Sequence, residues 1–305
     1  MTSVTTSSLA GARRRTRTGR GGLLFISPAL VLIGVLFIGP LVLTAVMSFF
    51  DWPLFGSIEF SGIDNYSRAL NDPTLRTALG FTTTFAILTT GVTMLVGFSL
   101  AHLVSTKRAA VGVFRTGFFI PVVIGMAAAS FLWIWMLNPD VGPIPHLLDL
   151  LGADGPPALL ASHRSALVTI VIMTVWKSAG FAMLLFLIGL QAIPVELYEA
   201  AGIDGAGRWR KLWSVTLPLL RPTTALVLIL QFTQNFLAFD QFFLMTKGGP
   251  ANSTITATYW VYSKAFVNFQ LGYGAALAMA VLVVLVAINA FQLRVMRGGP
   301  AGDKS

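Results

Sequence analysis

The side chains in this sequence that can do chemistry sit in three places. Lys177, in VWKSAGF, lies midway along an apolar run. Gln231, Gln234, Asn235, Asp240 and Gln241, in LQFTQNFLAFDQFF, are interleaved with Phe232, Phe236 and Phe239. Glu196, Glu199, Asp204, Arg208, Arg210 and Lys211 crowd into PVELYEAAGIDGAGRWRKLWSVTLPLL, Pro194 to Leu220. Amides both donate and accept hydrogen bonds, and aromatic faces stack on the apolar faces of sugar rings. The second group therefore suits a neutral hydroxylated ligand. Gln231, Gln234, Asn235 and Ala238 fall on one helix face, which would line a pathway or, alternatively, hydrogen-bond a neighbouring helix. A charge deep in an apolar run is costly and usually functional. Lys177 thus faces a polar path, pairs internally, or snorkels towards an interface.

Other reactive groups are sparse. There is no cysteine, hence no disulfide, thiolate or cysteine-ligated metal. His102, His146 and His163 lack metal-ligand spacing, so no metal site is expected. KGGP, Lys247 to Pro250, lacks the full phosphate-loop spacing and reads as a turn. No nucleophile, base and orienting group stand together, and the chain reads as non-enzymatic.

The elements that carry these residues are set by composition. Of 305 residues 55% are hydrophobic and 11% charged, against about a quarter charged in soluble domains. A helical crossing needs about twenty apolar residues. Six runs supply them: Leu23 to Phe50, Leu79 to Val104, Val111 to Leu137, Leu167 to Leu190, Thr216 to Phe239 and Tyr273 to Phe291. Strands of a membrane barrel would be shorter and alternating, so the chain is expected to be an all-α integral membrane protein with six transmembrane helices.

The net charge of +9 and the basic run RRRTRTGR, Arg13 to Arg20, invite a nucleic-acid reading. The distribution argues against it. With the N-terminus inside, cations such as Arg13, Arg20, Lys107, Arg115, Arg208, Arg210, Lys211, Arg221 and Arg294 fall on the cytoplasmic side, leaving only Arg68, Arg76, Arg164, Lys247 and Lys264 outside. That is the positive-inside pattern of an even number of crossings with both termini cytoplasmic, and the expected partner is the lipid bilayer, not nucleic acid. The first apolar run is too long for a signal peptide and no A-x-A site follows it, so it reads as a retained helix.

Residues 1–22 read as a disordered basic tail, 23–296 as the six-helix membrane domain and 297–305 as a cytoplasmic tail. The first outer loop, Asp51 to Leu79, is expected to be anchored by Trp52, Phe60, Ile63, Tyr66 and Leu70. In the third, a surface helix should start at Asn252 or Ser253.

The charged stretch reads as a helix, a turn and a helix along the inner face. Pro194 suits a first turn, Gly205 and Gly207 permit a reversal, and RWRKLW follows. Positive-inside topology explains its cations but not Glu196, Glu199 and Asp204 around an alanine pair.

EAAGIDGAGRWRKLWSVTLP reads E-A-A, three residues, G, nine residues, V-x-L-P. It resembles the EAA loop of the membrane subunits of bacterial ABC importers. The likeness extends from about Leu23 to Met296 through FRTGFFIPVVI, LWIWMLNPDVGPI, LIGLQAIPVELYEAAGIDGAG and FLMTKGGPANST, which resemble the MalF-like and UgpA-like carbohydrate permeases. The resemblance implies a type I ABC importer permease fold in the bacterial inner (plasma) membrane. The EAA coupling loop is then 194–222. Glu199 becomes the ion-pair partner of an ATPase arginine, Ala200 and Ala201 the close contact, Asp204 part of the same surface, and Gly205 the turn. It implies a second homologous permease subunit, two ATP-binding subunits that hold ATP and Mg while this chain binds no cofactor, and an extracytoplasmic solute-binding protein. The segment after the loop would line the substrate pathway, with Gln231, Gln234, Asn235 and Phe239, joined by Lys177. Leu237 and Ala238 depart from the family's polar positions, so a maltose-type specificity does not transfer. The alternative, an ion-coupled secondary transporter, would need intramembrane carboxylates, and the cores of these runs contain none.

Overall fold

The computed structural model describes residues 20–105, 111–152 and 158–297. The expected tails, 1–22 and 297–305, lie almost wholly outside the described residues, as does the inner connection from residue 106 to 110. The chain divides into two compact units, one ending at Val46 and the other beginning at Met47. In the first, α1 (Arg20–Ile33), a π-helical turn (Gly34–Ile38) and α2 (Gly39–Met47) follow without interruption. Residues Ile26–Met47 are long and apolar enough to cross a bilayer.

The second unit opens with β1 (Phe50–Asp51) paired antiparallel to β2 (Glu59–Phe60), Phe50 opposite Phe60. Helices α3 (Asp64–Leu70), α4 (Pro73–Leu103), α5 (Val111–Val123), α6 (Met126–Met136), α7 (Pro143–Leu150) and α8 (His163–Gln191) follow. A hairpin comes next: α9 (Val195–Ile203), α10 (Arg208–Lys211), a π-helical turn (Leu212–Thr216) and α11 (Leu217–Leu219). Then come α12 (Arg221–Phe236), α13 (Asp240–Met245), α14 (Ala257–Tyr262), a π-helical turn (Ser263–Val267) and α15 (Leu271–Arg297).

The described chain is mostly helical, as expected, with two two-residue strands. Five segments are each long and apolar enough to cross a bilayer: Ile26–Met47, Pro73–Leu103, His163–Gln191, Arg221–Met245 and Leu271–Met296. The third expected crossing is instead broken, with α5 and α6 bent by 98° between Val123 and Met126. Pro121 removes one helical N–H donor near the bend, and Gly125 caps α6.

Helices α4 and α8 form the centre of this unit, and small residues let backbones meet there. A Cβ on Gly97 would come within 2.6 Å of the Ala182 Cβ, and one on Gly180 would overlap the Phe118 carbonyl oxygen. Towards the outer end, Phe81 and Phe85 pack edge-to-face on Phe242, with centroids 5.2 and 4.8 Å apart. Many hydroxyls are satisfied within their own helices. Thr82 and Thr174 Oγ1 and Ser178 Oγ donate to carbonyls four residues back, at 2.7, 2.7 and 2.6 Å.

Two loop expectations need correction. Phe60, Ile63 and Leu70 are exposed instead of anchoring the first outer loop. Tyr66 does anchor it, with its hydroxyl 2.6 Å from Ser48 Oγ, and it is joined by buried Asn65, whose Nδ2 donates to the carbonyls of Ser48 at 3.1 Å and Phe50 at 2.9 Å, because an amide can satisfy the backbone of a short irregular segment where an apolar ring cannot. The surface helix begins at Ala257, not near Asn252. Thr256 Oγ1 caps it by accepting from Tyr259 N–H at 3.2 Å, while Asn252 sits at a left-handed φ of 59° in the preceding turn.

Asp72 ties the outer ends of α4, α14 and α15 together. It caps α4 by accepting from Thr74 and Leu75 N–H at 2.8 and 3.2 Å, and its other oxygen accepts from Trp260 Nε1–H at 2.9 Å and Tyr273 O–H at 2.7 Å. Arg68 lies 4.0 Å over the Tyr273 ring and Lys264 4.2 Å over Trp260. Burial alone would raise the Asp72 carboxyl, but the bonds from Trp260, Tyr273 and the two backbone N–H groups hold it below its ordinary value. A depressed folded value means that the contribution is complete above the ordinary carboxylate range and is lost as pH falls through the folded value. Asp72→Asn presents donors to donors. It is expected to cost about 1–2 kcal/mol at neutral pH, and the gap to wild type should narrow below about pH 4. Thermal unfolding of the detergent-solubilised protein across pH measures both.

Candidate functional site

Two breaks in helix geometry create a cavity among the crossings. Helix α12 stops at Phe236, and Leu237 to Phe239 separate it from α13. The freed backbone is held from outside the break, since Thr256 Oγ1 donates to the Ala238 carbonyl at 2.9 Å. Phe239 is fixed by an aromatic cluster, with Phe243 at 5.1 Å, Tyr262 at 5.1 Å and Tyr259 at 5.9 Å between centroids. The second break, before α6, brings Met126 to the same place. Irregular backbone at membrane depth is tolerated where it is buried in protein or lines a cavity.

The cavity encloses about 440 Å³. Met126 from α6, Thr174, Lys177 and Ser178 from α8, and Gln234, Asn235, Leu237, Ala238, Phe239, Asp240 and Gln241 from the broken helix line it. Asn235 is fixed by donating from Nδ2 to Thr90 Oγ1 at 3.1 Å, and Ser178 Oγ lies 3.4 Å from Thr93 Oγ1. Amides, hydroxyls, one cation, one carboxylate and an aromatic face therefore converge on one space, a set that can grip a hydroxylated solute from several sides. A larger cavity of about 570 Å³, lined by Trp133, Leu137, Ile144, Leu148 and Val168 with Arg164 and Ser165, is almost wholly apolar and lacks such convergence.

Of the residues expected along the pathway, Lys177, Gln234, Asn235 and Phe239 come together at this cavity. Gln231 does not line it. It lies one turn along α12, 1% exposed, and both amide atoms lack a hydrogen-bond partner among the described residues. Asp240 and Gln241, members of the same amide-and-aromatic group in the sequence, line it as well, whereas Thr174, Ser178 and Met126 were not singled out for this role. Thr174 and Ser178 flank Lys177 in the sequence, the one local signal that would have found them. No group of three or more His, Asp or Glu able to hold a metal occurs among the described residues.

The second surface is the hairpin. Pro194 precedes α9, none of whose residues is buried, and Ile203 at its end is 89% exposed. Glu199, Ala200, Asp204 and Gly205 are exposed and Ala201 is half-buried. The reversal uses Gly205 at φ 73°, where an L side chain is strained. It is closed by Ala206 N–H donating to the Ala201 carbonyl at 2.8 Å. Tyr198 and Thr216 hydroxyls, 3.0 Å apart, tie α9 to the returning π-helical turn. The hairpin is thus internally braced, and its charged and small-residue face is exposed among the described residues.

The two sites share helices. From Lys177 to Gln191 α8 spans about 20 Å at its regular rise, so it links the cavity directly to α9. Helix α12 links the returning limb of the hairpin back to Gln234 and Asn235.

A family described as binding-protein-dependent transport system inner membrane component matches over residues 93–298. The sn-glycerol-3-phosphate transport system permease protein UgpA of Agrobacterium fabrum is 35% identical over 89% of this chain and 92% of its own length. The multiple sugar-binding transport system permease protein MsmF of Streptococcus mutans is 30% identical over 90% of this chain and 95% of its own. Among solved structures, a chain of a bacterial ABC transporter involved in the import of the acidic polysaccharide alginate superposes with a TM-score of 0.80 at 20% identity, over 92% of this chain and 97% of that one. This last likeness concerns the fold.

Proposed function

The chain belongs to the family of inner membrane components of binding-protein-dependent transport systems, and from that premise we propose that it is the permease subunit of an ATP-driven importer of a sugar, oligosaccharide or related polyol. The observation that carries this reading is the polar cavity of Lys177, Ser178, Gln234, Asn235 and Phe239, joined through α8 and α12 to an uncovered hairpin. Similarity to permeases named for glycerol-3-phosphate and multiple-sugar transport supports the solute class.

In this reading the chain forms half of the pathway beside a second homologous permease subunit. Two separate ATP-binding subunits hold ATP and Mg and carry out hydrolysis, and an extracytoplasmic binding protein delivers the solute. Glu199, Ala200, Ala201, Asp204 and Gly205 seat in the ATPase. When ATP binding closes the ATPase pair, the braced hairpin moves as a unit and tilts α8 and α12, turning the cavity from one side of the membrane to the other.

Purifying the assembled complex with its binding protein, and measuring which solutes stimulate ATP hydrolysis, tests the proposal. Stimulation by one class of hydroxylated solute is expected. Hydrolysis indifferent to every sugar, polyol and their phosphates would overturn the solute assignment.

A further inference from the structure

The returning limb of the hairpin carries a feature outside Glu199 to Gly205, the residues assigned above to the ATPase contact. From Arg208 to Leu219 the chain is helical without interruption, through α10, the π-helical turn and α11. Trp209 is 75% exposed and Trp213 65% exposed, one helical turn apart. Leu219 and Leu226, further along, are also exposed, where the chain enters the crossing that α12 begins. Arg208 and Arg210 flank Trp209 and are exposed, whereas Lys211 is half-buried, its Nζ close to Gly202. Between Gly205 and Phe239 the sequence contains no acidic residue.

Indole rings are amphipathic and collect at the headgroup level of a bilayer, with the apolar body in and the N–H towards water. Cations beside such rings attract anionic headgroups of the cytoplasmic leaflet, and the pull fades within a Debye length. Positive-inside topology places this limb on that leaflet. Two exposed indoles in water would cost hydrophobic free energy with nothing in return, whereas at an anionic interface rings and guanidinium groups are all satisfied.

We propose that Trp209 and Trp213, with Arg208 and Arg210, form a docking surface for the headgroups of anionic phospholipids in the inner leaflet. Because the Tyr198–Thr216 hydroxyl contact braces this limb against α9, the lipid holds the whole hairpin at a fixed height on the membrane. The inference does not rest on the transport reading.

The test uses the full chain in lipid nanodiscs, alone and in its assembled complex. Tryptophan emission of wild type minus that of a Trp209→Phe/Trp213→Phe variant isolates the pair from the other indoles. Brominated phosphatidylglycerol is expected to quench this emission at least about twofold more than brominated phosphatidylcholine at equal mole fraction, with the preference shrinking as salt rises. The preference should vanish in Arg208→Ala/Arg210→Ala, which retains every tryptophan. Equal quenching by both lipids would overturn the proposal. So would absent quenching, or quenching in the isolated chain that disappears in the complex, which would assign the face to a protein partner. None of these readouts measures transport, so failure here and failure of the importer reading are distinguishable.

Discussion

Replacing Glu199 by alanine is expected to reduce solute uptake at least about thirtyfold while leaving solute affinity of the binding protein unchanged. In the proposed assembly Glu199 is a buried ion-pair partner of an ATPase arginine. Truncating one member of a desolvated charge pair costs about 2–5 kcal/mol, mostly because the other charge is left unpaired. The structure gives this change little to disturb in the chain itself, since Glu199 is exposed and no residue of α9 is buried. Thermal stability of the isolated subunit should therefore stay within about 0.5 kcal/mol of wild type. Gly205→Pro is a harsher version, because the reversal requires φ 73° and proline is locked near −65°. Both variants should lose binding-protein-stimulated ATP hydrolysis along with uptake. Normal uptake in both would remove the coupling role from this hairpin.

The second large effect is expected at the cavity. A Gln234→Ala/Asn235→Ala variant removes two amides that line it, one of them fixed by Thr90. Each lost hydrogen bond to a solute costs about 0.5–1.5 kcal/mol, and a buried hydroxyl left unpaired adds about 1–3. Maximal uptake should thus fall on the order of ten- to a hundredfold. The solute concentration giving half-maximal uptake should move little, because capture occurs on the binding protein. Stimulated ATP hydrolysis should persist, so the cavity variant and the hairpin variant fail in opposite ways. Rates of solute entry and phosphate release measured together distinguish them. Unaltered maximal uptake would take Gln234 and Asn235 out of the pathway.

What was legible in the sequence follows from the physics of each signal. Apolar runs and cation asymmetry report on the bilayer, a strong and uniform solvent, so the crossings and the inner placement of the hairpin were readable. The hairpin was readable in detail too, because Pro194, Gly205 and Gly207 act locally on the backbone. The break in the third crossing left a trace in Pro121 and Gly125 that the length of the apolar run concealed. The break after α12 left none. No glycine or proline stands between Phe236 and Asp240, and the interruption is held by Thr256 and an aromatic cluster from α14.

The cavity was therefore only half visible. Helical periodicity placed Gln231 with Gln234 and Asn235 on one face, yet the two ends of that face have different neighbours. Asn235 opens on the cavity, whereas Gln231 is enclosed in the bundle without a hydrogen-bond partner among the described residues. Periodicity assigns residues to a face but not to what covers each turn of it. The same limit explains the outer loop, where Tyr66 anchors as expected but Asn65 takes the part expected of Phe60, Ile63 and Leu70.

The central claim is that solute crosses at the cavity under the drive of ATP hydrolysed on partner subunits. Its most direct test is solute accumulation in sealed vesicles containing the assembled complex, with binding protein outside and ATP either supplied inside or withheld. Accumulation that requires ATP, the binding protein and the ATP-binding subunits together is the result this account predicts. Uptake that persists without the ATP-binding subunits, or that follows an imposed proton or sodium gradient, would contradict it.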